Sequence, residues 1–446
     1  MKPIRTLLIL ALGSTVLWAA PAPSQPVPDS LDLSSALRYA AENNFTIRSA
    51  RERLNSAEGA LLTARAGYLP QASVDASYSR TADQITPAGY ANESWNGSAS
   101  VGQTVYAGGA VRGRAKAARN ARDAAELQLQ AVTNEVLAGV RAGFYNVLRA
   151  EETIKVREQA LSLLEEELKN ARNRYEAGAG AQFDVLRAEV ALANGRPPLI
   201  TARNDLRIAI EELRQLLGFT NRVGDNVTKV PDFVGELTYG DEQFSLDAAL
   251  LSAERNRPEL QAFAKGVAAA ESGVTIARAG YLPTVGVSAG WQIASNRVLA
   301  ARSLTGQGSA DGWFLGAQSS WAIFDGRATA GRIRSAKSEL SQARLTLDEQ
   351  KLAIDVEVRR NFASWQQAVE LVASSTKVVE QATEALRLSR ARFDVGAATQ
   401  LDVLQAQVAL TEAGNNKVQA LFAYNVAVAQ LRKAMGVADP VLGTAN

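Results

Sequence analysis

The 446 residues include neither cysteine nor histidine. Thiol nucleophiles, His-based triads, imidazole bases and the common zinc sites are therefore excluded before any single position is weighed. Catalysis would have to rest on carboxylates, lysines, tyrosines or hydroxyls, and the chain has no Gly-Lys phosphate-binding loop. No catalytic residue, cofactor or metal site is expected. One pair of carboxylates stands out by its spacing. Asp184-Val185-Leu186 recurs 218 residues later as Asp402-Val403-Leu404, each time just after a glycine turn that contains Gly178 or Gly396. An aspartate so placed favours the first turn of a helix, worth about 0.3 to 1 kcal/mol.

The elements that carry this pair are themselves duplicated. Ala64 to Pro70 (Ala-Arg-Ala-Gly-Tyr-Leu-Pro) is repeated without change at Ala277 to Pro283, an identity with a chance probability on the order of 10⁻⁴. Upstream, Leu37, Asn43 and Ile47 match Leu250, Asn256 and Leu260 at an offset of 213. Downstream the offset is 218: Tyr106-Ala107-Gly108 matches Phe324-Asp325-Gly326, Arg174-Tyr175 matches Arg392-Phe393, and Leu213-Arg214 matches Leu431-Arg432. The second copy thus carries five extra residues, all between Pro283 and Phe324. Units this long are duplicated half-domains, not solenoid repeats. The expected division is a first repeat over 31–218, a linking segment over 219–243, a second repeat over 244–436 and a tail over 437–446.

A formal net charge of +2 gives no reason to expect a nucleic-acid partner. Lys2 and Arg5, the apolar stretch Thr6 to Trp18, and Ala19, Ala20 and Ala22 read as a signal peptide over 1–22. No later run of about 18 apolar residues could form a transmembrane helix, so integral contact with a membrane would have to be made by strands.

Long helices account for most of the chain. From Ala110 to Glu176 proline is absent and Ala, Leu, Glu, Arg and Gln dominate, which predicts a helix roughly 100 Å long. Its apolar positions step by seven: Val140, Val147, Ile154, Leu161, Leu168, Tyr175. The second copy keeps the register with Val358, Trp365, Val372, Val379, Leu386 and Phe393. That heptad implies a coiled-coil seam, and small residues at the companion positions, such as Gly143, Ala150 and Ala171, allow close approach. Each long helix ends at a glycine turn and is followed by a return helix, Gln182 to Leu217 or Gln400 to Met435, with Gly218 and Gly436 as C-caps. Pro197-Pro198 falls inside the first return helix and predicts a kink or break.

Between the repeated heptapeptide and each long helix lie two runs of period-two alternation. In the second copy Val285, Val287, Ala289, Trp291 and Ile293 alternate with Thr284, Gly286, Ser288, Gly290 and Gln292. The returning run sets Trp313, Leu315, Ala317, Trp321 and Ile323 against Gly316, Gln318 and Ser320. The first copy repeats this more weakly, with Val74, Ala76 and Tyr78, then Trp95, Ala99, Val101 and Val105. Alternation alone fits an ordinary half-buried sheet. Two such hairpins between helices of this length have no evident soluble core to cover, and they fit membrane strands with interfacial aromatics. Four strands cannot close a barrel, so the chain should oligomerise.

Together these features resemble the TolC-type outer-membrane efflux proteins. The resemblance spans Leu31 to Gly436 and is most specific at Gly67-Tyr68-Leu69-Pro70 with Gly280-Tyr281-Leu282-Pro283, at Arg174 through Leu186 and at Arg392 through Leu404. It implies a mixed α and β fold, mainly α: a homotrimer whose helical hairpins form a periplasmic α-barrel and whose four strands per chain form a 12-strand barrel in outer-membrane lipid. It further implies a passive exit duct of a tripartite efflux or type I secretion system, served by a periplasmic adaptor and an inner-membrane transporter, with 219–243 in an equatorial belt. Asp402 would ring the closed entrance, with Gln405 one turn on where the family can carry a second aspartate. Phe393, Ala398, Asp184 and Arg187 would neighbour this gate. Ala398 stands where a gate-linking arginine can occur and Phe393 replaces a tyrosine, so fewer polar links are expected. Gly178, Gly180 and Gly396 would meet the adaptor, and Pro70 and Pro283 would mark helix-to-strand junctions. The competing reading is a secreted structural coiled coil or filament protein, which explains the helices but not the strand hairpins.

Overall fold

The computed structural model describes residues 30–85, 93–219, 231–240, 242–295 and 309–437. The expected signal peptide, 220–230 and 241 of the linking segment, and all but the first residue of the tail lie outside them. In chain order the elements are β1 (Ser30–Leu31), α1 (Leu33–Asn43), α2 (Phe45–Ala66), β2 (Gln71–Arg80), β3 (Glu93–Ala107), α3 (Ala110–Glu176), α4 (Gln182–Leu217), β4 (Asp232–Phe233), α5 (Leu246–Asn256), α6 (Pro258–Arg278), β5 (Thr284–Ser295), β6 (Ser309–Ser320), α7 (Ala328–Asp394) and α8 (Gln400–Ala434). The run α1 to α4 recurs as α5 to α8 with the same strand pair inside it.

α3 and α7 are each 67 residues long, about 100 Å at the α-helical rise. Their heptad positions are buried as the pattern requires: Val140, Val147 and Leu168 in α3, and Val358, Trp365, Val372 and Leu386 in α7. Gly143 shows what its small size is for, since a Cβ there would stand 3.0 Å from the Leu216 side chain of α4. Each return helix ends against the corner between the two short helices of its own half. Gly218 (φ 80°) and Gly436 (φ 69°) are left-handed, and a Cβ on either would lie within 2.8 Å of backbone atoms of Asn43 or Asn256. Asn44 Nδ2 donates to the Leu216 carbonyl at 2.6 Å, and Ser252 Oγ to the Met435 carbonyl at 2.9 Å.

α4 runs unbroken from Gln182 to Leu217 with Pro197 and Pro198 inside it, so the expected break is corrected. The prolines remove the donors that would bond the carbonyls of Ala193 and Asn194, at about 3 kcal/mol or more for an interior proline. Burial of Ala188, Leu192, Leu199 and Ala202 on both sides of the pair, with Leu168 and Ala171 of α3, holds the helix through them.

The four long strands make one antiparallel sheet in the order β2-β3-β5-β6, so the halves join at β3 and β5. Register places Val74 opposite Ala99, Ala99 opposite Trp291, and Trp291 opposite Trp313, which gathers most apolar positions of the four strands on one face, Phe314 lying over Gly290 on the other. A bulge between Thr104 and Tyr106 shifts the β3 register. The other face is polar and bonded to itself: Ser73 Oγ to Ser100 Oγ at 3.1 Å, Ser77 Oγ to Asn96 Oδ1 at 2.8 Å, Ser79 Oγ to Ser94 Oγ at 2.8 Å. Among the described residues β2 and β6 keep one edge each without a partner strand. The helices follow the sheet, α2 packing on α3, α3 on α6 and α6 on α7.

The core lies where the short helices cover the long ones. Leu31, Ala36, Leu37 and Ala40 pack with Leu137, Val140, Phe144 and Val147 of α3 and Leu213 of α4. In the second half Ala249, Ala253 and Leu260 pack with Ile354 and Val358. No described helix is long and apolar enough to cross a membrane.

Candidate functional site

The two hairpins reverse at the ends far from the sheet by one chemical device. Gly178 (φ 71°) and Gly396 (φ 75°) are left-handed, a backbone that strains any other residue. The next amide then closes the helix: Ala179 N donates to the Arg174 carbonyl and Ala397 N to the Arg392 carbonyl, each at 2.8 Å. At Gly180 a Cβ would come within 3.2 Å of Arg174, so the chain passes tightly under α3 before α4 begins.

Asp402 stands in the first turn of α8 and makes a reciprocal cap with Thr399. Its Oδ2 accepts from Thr399 N and Thr399 Oγ1, both at 2.8 Å, while Asp402 N donates back to Thr399 Oγ1 at 3.3 Å. These bonds favour the ionised form and hold its carboxyl below the usual range, with help from Arg392. Asp402 and Gln405 are exposed, Ala398 is half-buried in the turn, and Asp184 occupies the matching first turn of α4. Arg187 lies over the Phe183 ring at 4.5 Å. Asp402 and its first-half counterpart therefore differ in their caps: Ala181, at the N-cap of α4, makes no side-chain bond.

Links between the two tips are where sequence reasoning fell short. The Arg174 guanidinium stacks over Phe393 at 4.3 Å and lies 4.0 Å from Asp394 Oδ1. Phe393, which cannot donate the hydrogen bond of a tyrosine, thus receives a cation instead. Arg390 of α7 pairs with Glu166 of α3 at 3.2 Å. Beside this pair Glu167 is buried, and burial pushes its carboxyl up against the opposing pull of Arg390 and Arg174. Gln400 and Gln407, on one face of α8, are each 3 % exposed with neither amide atom hydrogen-bonded. Gln407 lines a cavity of about 350 Å³ between α3, α4 and α8, with Leu161, Leu164, Gly195, Pro198 and Leu404. The seven-residue spacing of Gln400 and Gln407 on a buried face was the available signal.

At the other end, Pro70 directly precedes β2 and Pro283 directly precedes β5. Among the described residues no group of three or more acidic side chains is placed to hold a metal ion.

A duplicated chain that joins a two-faced, four-stranded sheet with open edges to helices about 100 Å long has the fold of solved outer-membrane channels. It belongs to the outer membrane efflux protein family, whose model matches residues 36–219 and 249–437. Outer membrane protein TolC of Vibrio cholerae is 23 % identical over 440 residues, covering 98 % of this chain and 96 % of the relative. Outer membrane efflux protein BepC of Brucella suis is 26 % identical over 402 residues, covering 88 % and 84 %. Among solved structures, the outer-membrane channel OprN superposes with a TM-score of 0.75 at 21 % identity, covering 91 % of this chain and 90 % of that one. The mainly α fold, the outer-membrane location and the role as an efflux or secretion channel follow from these. Family members are channels, not enzymes, and work as trimers with adaptor proteins and inner-membrane transporters.

Proposed function

We propose that three copies of this chain close one channel, a passive exit duct gated at the tips of the helical hairpins. The observation that carries this reading is the sheet. Its strands alternate in direction from β2 to β6, so the free edge of β6 runs antiparallel to a neighbouring β2, and three copies close an even, 12-strand barrel with no exposed edge. The apolar face then meets lipid and the serine-rich face lines the lumen.

On this reading residues 1–22 direct export, the repeats 31–218 and 244–436 build barrel and tunnel, and 219–243 completes a belt outside the helices. Asp402 of each copy faces the axis, with Gln405 below it, and three carboxylates so gathered attract cations at the constriction. Asp184, Arg187, Phe393 and Ala398 flank that gate. The turns at Gly178, Gly180 and Gly396 are the exposed ends an adaptor can reach, and the inner-membrane transporter delivers cargo through it.

Single-channel recording in planar bilayers tests the gate. Asp402→Ala should weaken cation selectivity and block by multivalent cations, and unchanged selectivity and block would remove Asp402 from the constriction. Photo-crosslinkers at Ala179 and Ala397, which spare the left-handed glycines, should capture an adaptor. Extraction separates the duct from a filament: the duct needs detergent and runs as a heat-sensitive trimer.

A further inference from the structure

Just beyond the sheet, α2 and α3 enclose a cleft of about 550 Å³ lined by Arg65, Tyr68, Leu69, Arg112, Ala115, Lys116 and Arg119. Four of the seven are cations, and none of them has a carboxylate within 4.0 Å among the described residues. The neighbouring acids are engaged elsewhere, Glu58 with Arg122 at 3.2 Å and Asp123 with Lys265 at 3.0 Å. The duplication repeats the feature. Lys116 and Arg119 correspond at the offset of 218 to Arg334 and Lys337, which line an equivalent shallow cleft on α7 and are likewise without a carboxylate partner.

Register decides which way these cations face. Arg112 and Arg119 share the heptad position of Val140 and Val147, and Lys116 that of Leu137 and Phe144. Those four apolar residues lie beneath α1. Lys337 shares the position of Val358, which lies beneath α5. Three copies of α1 and α5 inside a twelve-helix tunnel would fill it, so the face they cover is the outer one. The cations continue that outer face upward to the barrel. α3 and α7 both begin at the sheet and run away from it, and helical side chains tilt toward the helix N-terminus. The Arg and Lys stems therefore lean toward the membrane, along the exposed Tyr68 and Leu69.

Resting on the trimeric-channel reading, we infer that Arg65, Arg112, Lys116 and Arg119, with Arg334 and Lys337, form a collar that binds the phosphates of anionic phospholipid headgroups in the periplasmic leaflet of the outer membrane. The chemistry is charge complementarity at a place continuous with the lipid-facing strands. Arginine forks grip phosphate oxygens and each cation near an anionic surface strengthens association about fivefold. Aromatic and apolar neighbours seat the acyl-chain side of the headgroup.

The test compares the wild-type protein with the combined Arg112→Gln, Lys116→Gln, Arg119→Gln variant, each reconstituted in phosphatidylethanolamine vesicles with and without phosphatidylglycerol. Expected are a phosphatidylglycerol-dependent rise in the trimer's heat-dissociation temperature for the wild type, lost in the variant, and at least a tenfold drop in phosphatidylglycerol retained per trimer by native mass spectrometry. In phosphatidylethanolamine alone the two proteins should match. A variant that keeps the phosphatidylglycerol increment overturns the proposal. So does a variant weakened equally in both vesicles, because the cations would then be pairing with acids of the adjacent subunit. Failure to recover a trimer from any vesicle would strike the channel reading itself, a different outcome from either.

Discussion

At Phe393 and Asp402 single residues set how the tips hold together. Arg174 over Phe393 and beside Asp394 replaces a tyrosine hydrogen bond with a cation–π contact, worth about 0.5 to 1 kcal/mol at an exposed site. Arg174→Ala should loosen the closed state and raise channel open probability in bilayer recordings, and Phe393→Tyr should leave it unchanged within a factor of two or so. The cap at Asp402 gives a pH test. Its carboxyl is held low by the Thr399 bonds, so the cap's contribution is complete at neutral pH and is lost as pH falls through the native value. Thr399→Val removes the side-chain bonds and should move the acid midpoint of cation block upward, read from conductance between pH 3 and 6 or thereabouts. The place of Asp402 in the first turn of a helix was legible from its repeat of Asp184 and its position after a glycine turn. Arg174 and Glu167 were not, because a heptad pattern reports which face of one helix is buried and not which charge on the next hairpin it meets.

Among the elements, the corner between α5 and α6 shows how a buried ion pair locks one helix onto others. Arg257, 5 % exposed, reaches Glu357 of α7 at 2.6 Å and Glu259 at 3.2 Å, and donates to the Lys433 carbonyl of α8 at 3.3 Å. Burial alone would raise the Glu357 carboxyl, yet Arg257 and Lys433 outweigh it and hold the group low. Arg257→Ala leaves the half-buried Glu357 beside one cation instead of two and should cost about 1 to 3 kcal/mol, less than breaking a fully buried pair, seen as a lower thermal midpoint of the helical domain. The wild-type contribution of Glu357 is present above the ordinary carboxylate range and lost as pH falls through its lowered native value, so the deficit of the variant should shrink in acid. Element bounds such as Ala110, Glu176, Gln182 and Leu217 were readable because composition, heptads and glycine caps agree there. Pro197-Pro198 does not break the helix because a local penalty of a few kcal/mol is smaller than the burial of Ala188, Leu192, Leu199 and Ala202 on either side, which sequence alone does not weigh.

For the whole molecule, the decisive contact is between copies. The pairing of β3 with β5 joins the halves within one chain, and no sequence pattern announced it, since any of the four alternating strands could have paired with another. Once it is made, only β2 and β6 remain open among the described residues; β2 keeps Val74, Ala76 and Tyr78 on the common face and β6 keeps Trp313, Leu315 and Ala317 there, while Phe314 lies over Gly290 on the other face. The absence of cysteine makes the closure directly testable, because introduced thiols are the only ones present. Val74→Cys on β2 should be combined in turn with Trp313→Cys, Leu315→Cys or Ala317→Cys on β6, residues that share its face. Disulfides form only where Cβ atoms stand about 3.5 to 4.5 Å apart, so one register should give covalent dimers and trimers under mild oxidation while its neighbours give little. The bonded species should resist heat dissociation in detergent. Monomeric disulfides from every pair would mean that β2 and β6 of one chain meet each other, which a four-stranded sheet cannot achieve without folding shut. No bonded species from any pair would leave the edges open to water or lipid, which unpaired backbone in a bilayer does not tolerate.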